Sequence, residues 1–302
     1  MRTTLLILTV LFGFISCKNS KENISIDVDK EEWISLFNGK DLGNWEIKIA
    51  GHKVDDNYKN TFIVEDGILR VIYKDYDTFT NQFGHIYYKK PFSYYKVKLD
   101  YRFTGEQVPG GPSWAFRNSG IMLHSQSAAS NSLNQNFPVS IEMQFLGGSG
   151  KDERATGNLC TPGTIVRMDD SINYNHCITS SSKTYHGDQW VHAEAIVLGD
   201  EKIIHIIESD TVFTYLNPMI GGGLLTKGAD EEWKNNGVDN KEEWLAKDGQ
   251  PLNQGYIALQ AESHPVDFKN VELLDLCGCM DKKARNYKSY YVKADNTKCI
   301  YD

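Results

Sequence analysis

The sequence predicts an all-β sandwich. Two observations carry that reading. Most segments between Trp33 and Asp275 alternate apolar and polar residues with a period of two, and turn-forming residues separate them. Long 3.6-residue periodicity is absent, apart from the charged stretch Lys227 to Lys247, where "DEEWKNN" and "KEEWLAK" are candidates for short helices. No internal repeat is visible.

The alternating segments come in chain order. In "YKVKLDYRF" (Tyr95 to Phe103), Val97, Leu99, Tyr101 and Phe103 share one side, and Lys98, Asp100 and Arg102 the other. In "NSGIMLHSQ" (Asn118 to Gln126), Ile121 and Leu123 are core-facing, opposite Asn118, Gly120, Met122, His124 and Gln126. "PVSIEMQFLGG" (Pro138 to Gly148) sets Val139, Ile141, Met143 and Phe145 against Ser140, Glu142 and Gln144. "WVHAEAIVL" and "KIIHIIE" follow, with His192 and His205 read as structural. In "GYIALQAESH" (Gly255 to His264), Ile257, Leu259 and Ala261 point in, and Tyr256, Gln260, Glu262 and His264 point out if alternation survives to the strand end. Turns fall at "EDG" (Glu65 to Gly67), "PGGP" (Pro109 to Pro112) and "GDE" (Gly199 to Glu201).

The polar faces are chemically unusual. A solvated strand face favours Lys and Glu. Here the polar positions gather Arg102, Asn118, His124, Gln126, Glu142, Gln144, Glu262 and His264. Amide, ring and guanidinium groups of this kind hydrogen-bond hydroxyls, provided the strands are neighbours. Trp114, beside Gly110 and Gly111, is a candidate to stack on a sugar ring or simply to close a loop.

The chain ends are different in kind. Arg2, the apolar run Leu5 to Ile15 and the sequence ending at Cys17 have the form of an export signal with a lipobox (residues 1–17), Cys17 being the lipid-bearing residue. Residues 18–32 are polar and charged, a flexible tether. The body, 33–275, is the sandwich, and 276–302 form a small Cys-stapled tail. The expected location is therefore outside the cytoplasm, on a lipid anchor in the outer membrane. In that oxidising compartment Cys160–Cys177 would staple a loop and Cys279–Cys299 the tail, leaving Cys277 unpaired; spacing alone does not fix these pairings. A Ca²⁺ site in the tail from Asp281, Asn286 and Asp295 is a further candidate.

Net charge is −8, which gives no support to nucleic-acid binding. No G-x-S-x-G elbow, P-loop or dinucleotide fingerprint occurs.

Six stretches together resemble the 3-keto-disaccharide hydrolase family. They are "SLFNGKDLGNW", "FIVEDGILRV", "YKVKLDYRF", "RNSGIMLH", "SIEMQFLGG" and "VDFKNVELL", and they fall in the family's order over the body of the chain. The resemblance implies a concanavalin/laminin-G-like jelly roll whose concave sheet binds carbohydrate, and cleavage of glycosides oxidised to a 3-ketone. The family's "NSG" falls on Asn118, Ser119 and Gly120, and its "E-x-Q" on Glu142 and Gln144. Its late "DHG…FRN" motif is altered here to "AESHPVDFKN", so His264 matches the His but Lys269 replaces the Arg. "GHIYY" with His85, and "RATGNLCTPGT" (Arg154 to Thr164), look like a subfamily with a larger loop over the cleft. The tail is similar to a Cys-bracketed module common at the C-termini of exported Bacteroidetes proteins.

The implied chemistry needs a base for the proton at C2, an electrophile at the ketone and an acid for the leaving oxygen. Glu142 or His264 is the expected base. His124, Arg102 or a divalent metal ion would hold the enolate, and His85 or the remaining acid–base group would protonate the leaving group. Glu142, His124 and His264 are the candidate metal ligands. Arg102, Asn118, Gln126, Gln144, His85, Glu262 and Trp114 are expected to bind substrate. A direct glycosidase using Glu142 and Glu262, and a non-catalytic carbohydrate-binding module, are the alternatives.

Overall fold

The structure, a computed structural model, describes residues 27–221 and 238–301. The signal, Cys17 and the first candidate helix, "DEEWKNN", lie outside the described residues. The second, "KEEWLAK", forms the single turn α1 (Lys241–Leu245), which buries Trp244.

Everything else of consequence is strand. The chain runs through β1 (Ile34–Ser35), β2 (Trp45–Ile49), β3 (Phe62–Glu65), β4 (Ile68–Val71), β5 (Gly84–Tyr88), β6 (Tyr94–Phe103), β7 (Asn118–Ser125), β8 (Ile141–Leu146), β9 (Asn158–Cys160) and β10 (Thr164–Met168). It continues through β11 (Ser171–Asn173), β12 (Cys177–Ile178), β13 (Val191–Leu198), β14 (Lys202–Ile207), β15 (Asp210–Ile220), β16 (Tyr256–Ala261), β17 (Val266–Asp275), β18 (Cys277–Gly278) and β19 (Lys293–Ala294). Two large antiparallel sheets result, and β18 and β19 pair apart from them as a short parallel ribbon. The larger has the order β11-β10-β15-β14-β13-β6-β17-β4-β3, with β1 added beside β17; the smaller has the order β12-β9-β8-β7-β16-β5-β2.

Alternation places the core between them. On β6, Val97, Leu99, Tyr101 and Phe103 are buried and Lys98, Asp100 and Arg102 are not. Ile121, Leu123, Ile141, Met143, Phe145, Ile257 and Leu259 of the smaller sheet meet them in one continuous cluster. Each such aliphatic or aromatic side chain contributes about 1.5–3 kcal/mol on burial. Tyr101 stacks on Phe145 at 4.2 Å across the interface. His205 is buried between the Gly157 carbonyl and the Tyr215 hydroxyl, and His192 pairs with Asp100 at 2.8 Å, so both are structural.

The outer face of the smaller sheet is covered as well. Strand β7 is buried on both faces along its whole length. The connections 126–140, 147–157 and 174–176 bring Phe137, Arg154 and His176 to line the hollow on the outer face of the smaller sheet, so the polar face is walled and not a wet surface.

Cys160 pairs with Cys177 and Cys279 with Cys299, and Cys277 is free. The first bridge joins neighbouring strands β9 and β12. Closing a loop of 17 residues in the unfolded chain is worth about 3 kcal/mol. The double variant Cys160→Ala/Cys177→Ala should lose about that much in a urea titration, with a somewhat larger m-value because the unlinked chain exposes more surface when it unfolds; no change in midpoint would contradict this. The tail packs through Leu276 against Tyr94, Leu274 and Trp33, and the Ser289 amide donates to the Val28 carbonyl. Its proposed Ca²⁺ ligands are otherwise engaged: Asp281 accepts from the Tyr301 hydroxyl, Asp295 from Thr297, and Asn286 bonds the main chain of Lys298 and Ile300.

Candidate active site

The hollow has a volume of about 360 Å³. Its floor is set by strand register. Gly120 on β7 lies opposite Gln144 on β8, and Met122 opposite Glu142. On the far side Cys160 lies opposite Glu142 and Asn158 opposite Gln144. On the near side Leu259 lies opposite Ile121, and Gln260 opposite His85. Side chains two apart share a face. One row of polar groups therefore crosses the sheet: His85, Gln260, the gap at Gly120, Gln144 and Asn158. Glu262, just beyond β16, and Asn118 at the start of β7 flank the row.

The gap has a reason. A Cβ on Gly120 would stand 2.6 Å from Glu142 Oε1 and 2.9 Å from its Cγ. The Glu142 side chain lies across the glycine. Only hydrogen at that position lets the carboxyl rest on the strand.

Two carboxyls share the hollow, and both are buried: Glu142 is 6% exposed and Glu262 3%. Burial pushes Glu142 up to about 8. Glu262 is raised well above the usual carboxylate range, by burial first and then by the charge of Glu142, against a smaller opposing pull from Arg154. Two carboxylates this close resist double ionisation. Glu142 therefore gives up its proton first, near 8, while the charge it gains helps Glu262 keep its own. Arg154 is held over the hollow by donating to the carbonyls of Phe116, Gly147 and Trp114. Its charge faces Glu262.

Several buried polar atoms on this face have no partner: Glu262 Oε2, Asn118 Oδ1, both ends of the Gln260 amide and His85 Nε2. Such groups cost about 1–3 kcal/mol each when left unpaired. Gln144 is oriented by Asn158, whose amide donates to it at 3.1 Å. Trp114 is 53% exposed, lines the rim and stacks on Phe83 at 5.7 Å, which leaves its other face open.

The hollow thus gathers Asn118, Glu142, Gln144, Glu262 and Trp114 as expected from the sequence. Five expectations are corrected. His124 sits on a bulge where φ is +49° and the β7–β16 register slips. Gly255 passes so close there that a Cβ would lie 2.3 Å from the His124 carbonyl carbon. The bulge turns His124 into the core, against Tyr95 and with Nε2 3.2 Å from the Gly199 carbonyl. His264 is turned the same way by Ser263, at φ +77°, after β16 has ended. Its ring packs on Phe103 and Phe116, and burial lowers its pKa to about 4. Arg102 does point outward, but from the other sheet, where it holds Asp267 at 2.8 Å and lies over Trp190. Gln126 ties down a loop by accepting from the Val139 amide and from Gln135. His85 is on the right face but lies behind Phe137.

The proposed metal ligands are therefore scattered. Among the described residues no group of three or more His, Cys, Asp or Glu is placed to hold a metal ion. Glu142 keeps no imidazole partner from His124 or His264, so the residues do not fit a metal centre.

Arg154, His176 and Asn158 line or support the hollow without having been singled out as site residues from the sequence. Arg154 opened the stretch read as a loop over the cleft. His176 adjoins Cys177, whose bridge fixes the wall.

Known structures of the same general shape include a "putative glycosyl hydrolase" of Parabacteroides distasonis (19% identity, TM-score 0.46, covering 80% of this chain and 93% of that one). A carbohydrate-binding module, CBM66, of Bacillus subtilis is similar at 10% identity (TM-score 0.40, covering 76% and 95%). No curated protein matches the chain. Residues 32–274 match the model of the 3-keto-alpha-glucoside-1,2-lyase-like domain, and the chain belongs to that family.

Proposed function

We propose that the protein cleaves 3-keto-glycosides by elimination, with Glu142 and Glu262 as its acid–base pair. The observation that supports this most is a buried carboxyl pair in which Glu142 ionises before Glu262, beside unpartnered hydrogen-bonding groups. The ionised member takes the proton from C2, which the neighbouring ketone makes acidic. The electron pair moves into an enolate, whose charge Arg154 faces across the hollow. The enolate re-forms the ketone and expels the C1 oxygen, which takes its proton from the other carboxyl. Water adds to the enone, hydroxyl at C1 and proton at C2, and the net change is hydrolysis. Proton transfers of this kind are each worth about 10²–10⁴-fold.

The same pair favours one second reading, direct displacement at C1 by a two-carboxylate glycosidase. A plain disaccharide and its 3-keto derivative separate the two. Cleavage of the keto form alone is the expected result. Cleavage of the plain sugar would favour displacement, and saturable binding without product would make the protein a binding module. Export on a lipid anchor at Cys17 belongs to this proposal and rests on the sequence.

A further inference from the structure

The acid–base pair leaves one part of the polar row unused. Gln260 is fully buried, with neither its amide oxygen nor its amide nitrogen bonded, and the cross-strand neighbour His85 has Nε2 unpartnered. Lys48, beyond His85, is not their partner: its ammonium donates to the carbonyls of Ile49 and Leu133. Between His85 and the hollow stands the Phe137 ring. Phe137 lines the hollow on one side and meets the His85 ring at 6.3 Å on the other. Phe137 is only half-buried, and its side chain has just two torsions to move.

A donor–acceptor amide beside an imidazole nitrogen matches sugar hydroxyls, which both give and accept hydrogen bonds. We infer that Phe137 is a gate, and that Gln260 and His85 behind it form a second subsite, which takes hydroxyls of the sugar ring across the cleaved bond. This rests on the glycoside-cleaving reading above. Two unpaired buried side chains are costly in the free protein, and a bound ring would satisfy them. The gate keeps the pair dry until then.

The test is a ratio. The values of kcat/KM are measured for a 3-keto disaccharide and for the methyl 3-keto-glycoside of the same sugar. Gln260→Leu, close in shape and without the amide, should lower the disaccharide-to-methyl ratio about tenfold, the worth of one good hydrogen bond. His85→Leu carries the same expectation and stands in if the first variant does not fold. An unchanged ratio overturns the subsite, whether both substrates suffer equally or neither does. If the wild-type protein cleaves neither substrate, the catalytic reading falls and calorimetry decides the subsite. A plain disaccharide should then bind more tightly than its monosaccharide, and Gln260→Leu should erase that advantage. Retention of the advantage in the variant would overturn the inference.

Discussion

Glu142→Gln is expected to abolish turnover and, at the same time, to make the protein more stable. The loss should be about 10³-fold or more in kcat, because the variant can neither take nor give the proton. The gain follows from burial. In the unfolded chain the carboxyl titrates at its ordinary value of 4.5, whereas in the folded protein it is held to about 8. Below 4.5 both states hold the proton and folding suffers no penalty. As pH rises from 4.5 towards 8, the unfolded chain releases the proton and the folded one keeps it, so stability falls with pH across that window. At pH 7 the linked cost is on the order of 2–3 kcal/mol, and an amide of the same shape avoids it. Thermal unfolding at several pH values checks the sign. The variant should melt higher than wild type at pH 7 and converge with it near pH 4. A variant that melts lower at pH 7 would mean that the carboxylate is stabilised where it lies. Wild-type activity should itself rise as pH passes through about 8, where the pair gives up its first proton and gains an ionised base while Glu262 stays protonated.

Gly120→Ala is the second large effect, and it isolates position from chemistry. The backbone at Gly120 is ordinary extended strand, so alanine suits the conformation. The atoms nearest the new methyl group, Oε1, Cγ and Cδ, all belong to the Glu142 side chain, which has three torsions by which to give way. The carboxyl can move aside, so folding should survive with a change of about 1–2 kcal/mol. Catalysis should not survive the move, because about 1 Å of misplacement costs roughly 10²-fold. The expected result is a kcat about a hundredfold lower with KM little changed. A folded Gly120→Ala protein with full activity would mean that Glu142 has no defined station in the reaction.

These two residues illustrate how far the sequence could be read. Period-two alternation in Tyr95 to Phe103 and in Ile141 to Phe145 gave the sandwich, because a strand with one buried face can be written in few other ways. The same parity correctly put Glu142, Gln144, Asn118 and Glu262 on an outer face. It failed at His124 and His264 for a local reason. One residue at positive φ reverses every later side chain, and neither His124 nor Ser263 is of a type that announces it. It failed at Arg102 for a global one. Parity says that a side chain points outward but not from which sheet, and β6 lies in the sheet opposite the hollow. Arg154 and His176 sit on irregular loops, where no period exists to be read. The result is a site with fewer imidazoles than the sequence suggested, and with Glu142 and Glu262 lining one hollow.

The step that distinguishes this chemistry is the breaking of the C2–H bond, and heavy water reports it. Wild-type protein acting on a 3-keto disaccharide in D₂O should release a keto-sugar carrying deuterium at C2 at the earliest times. Authentic product incubated alone serves as the control for slow exchange, and Glu142→Gln should release none. Cleaved product with only hydrogen at C2 would contradict the account, because the bond to C1 would then have broken with C2 untouched.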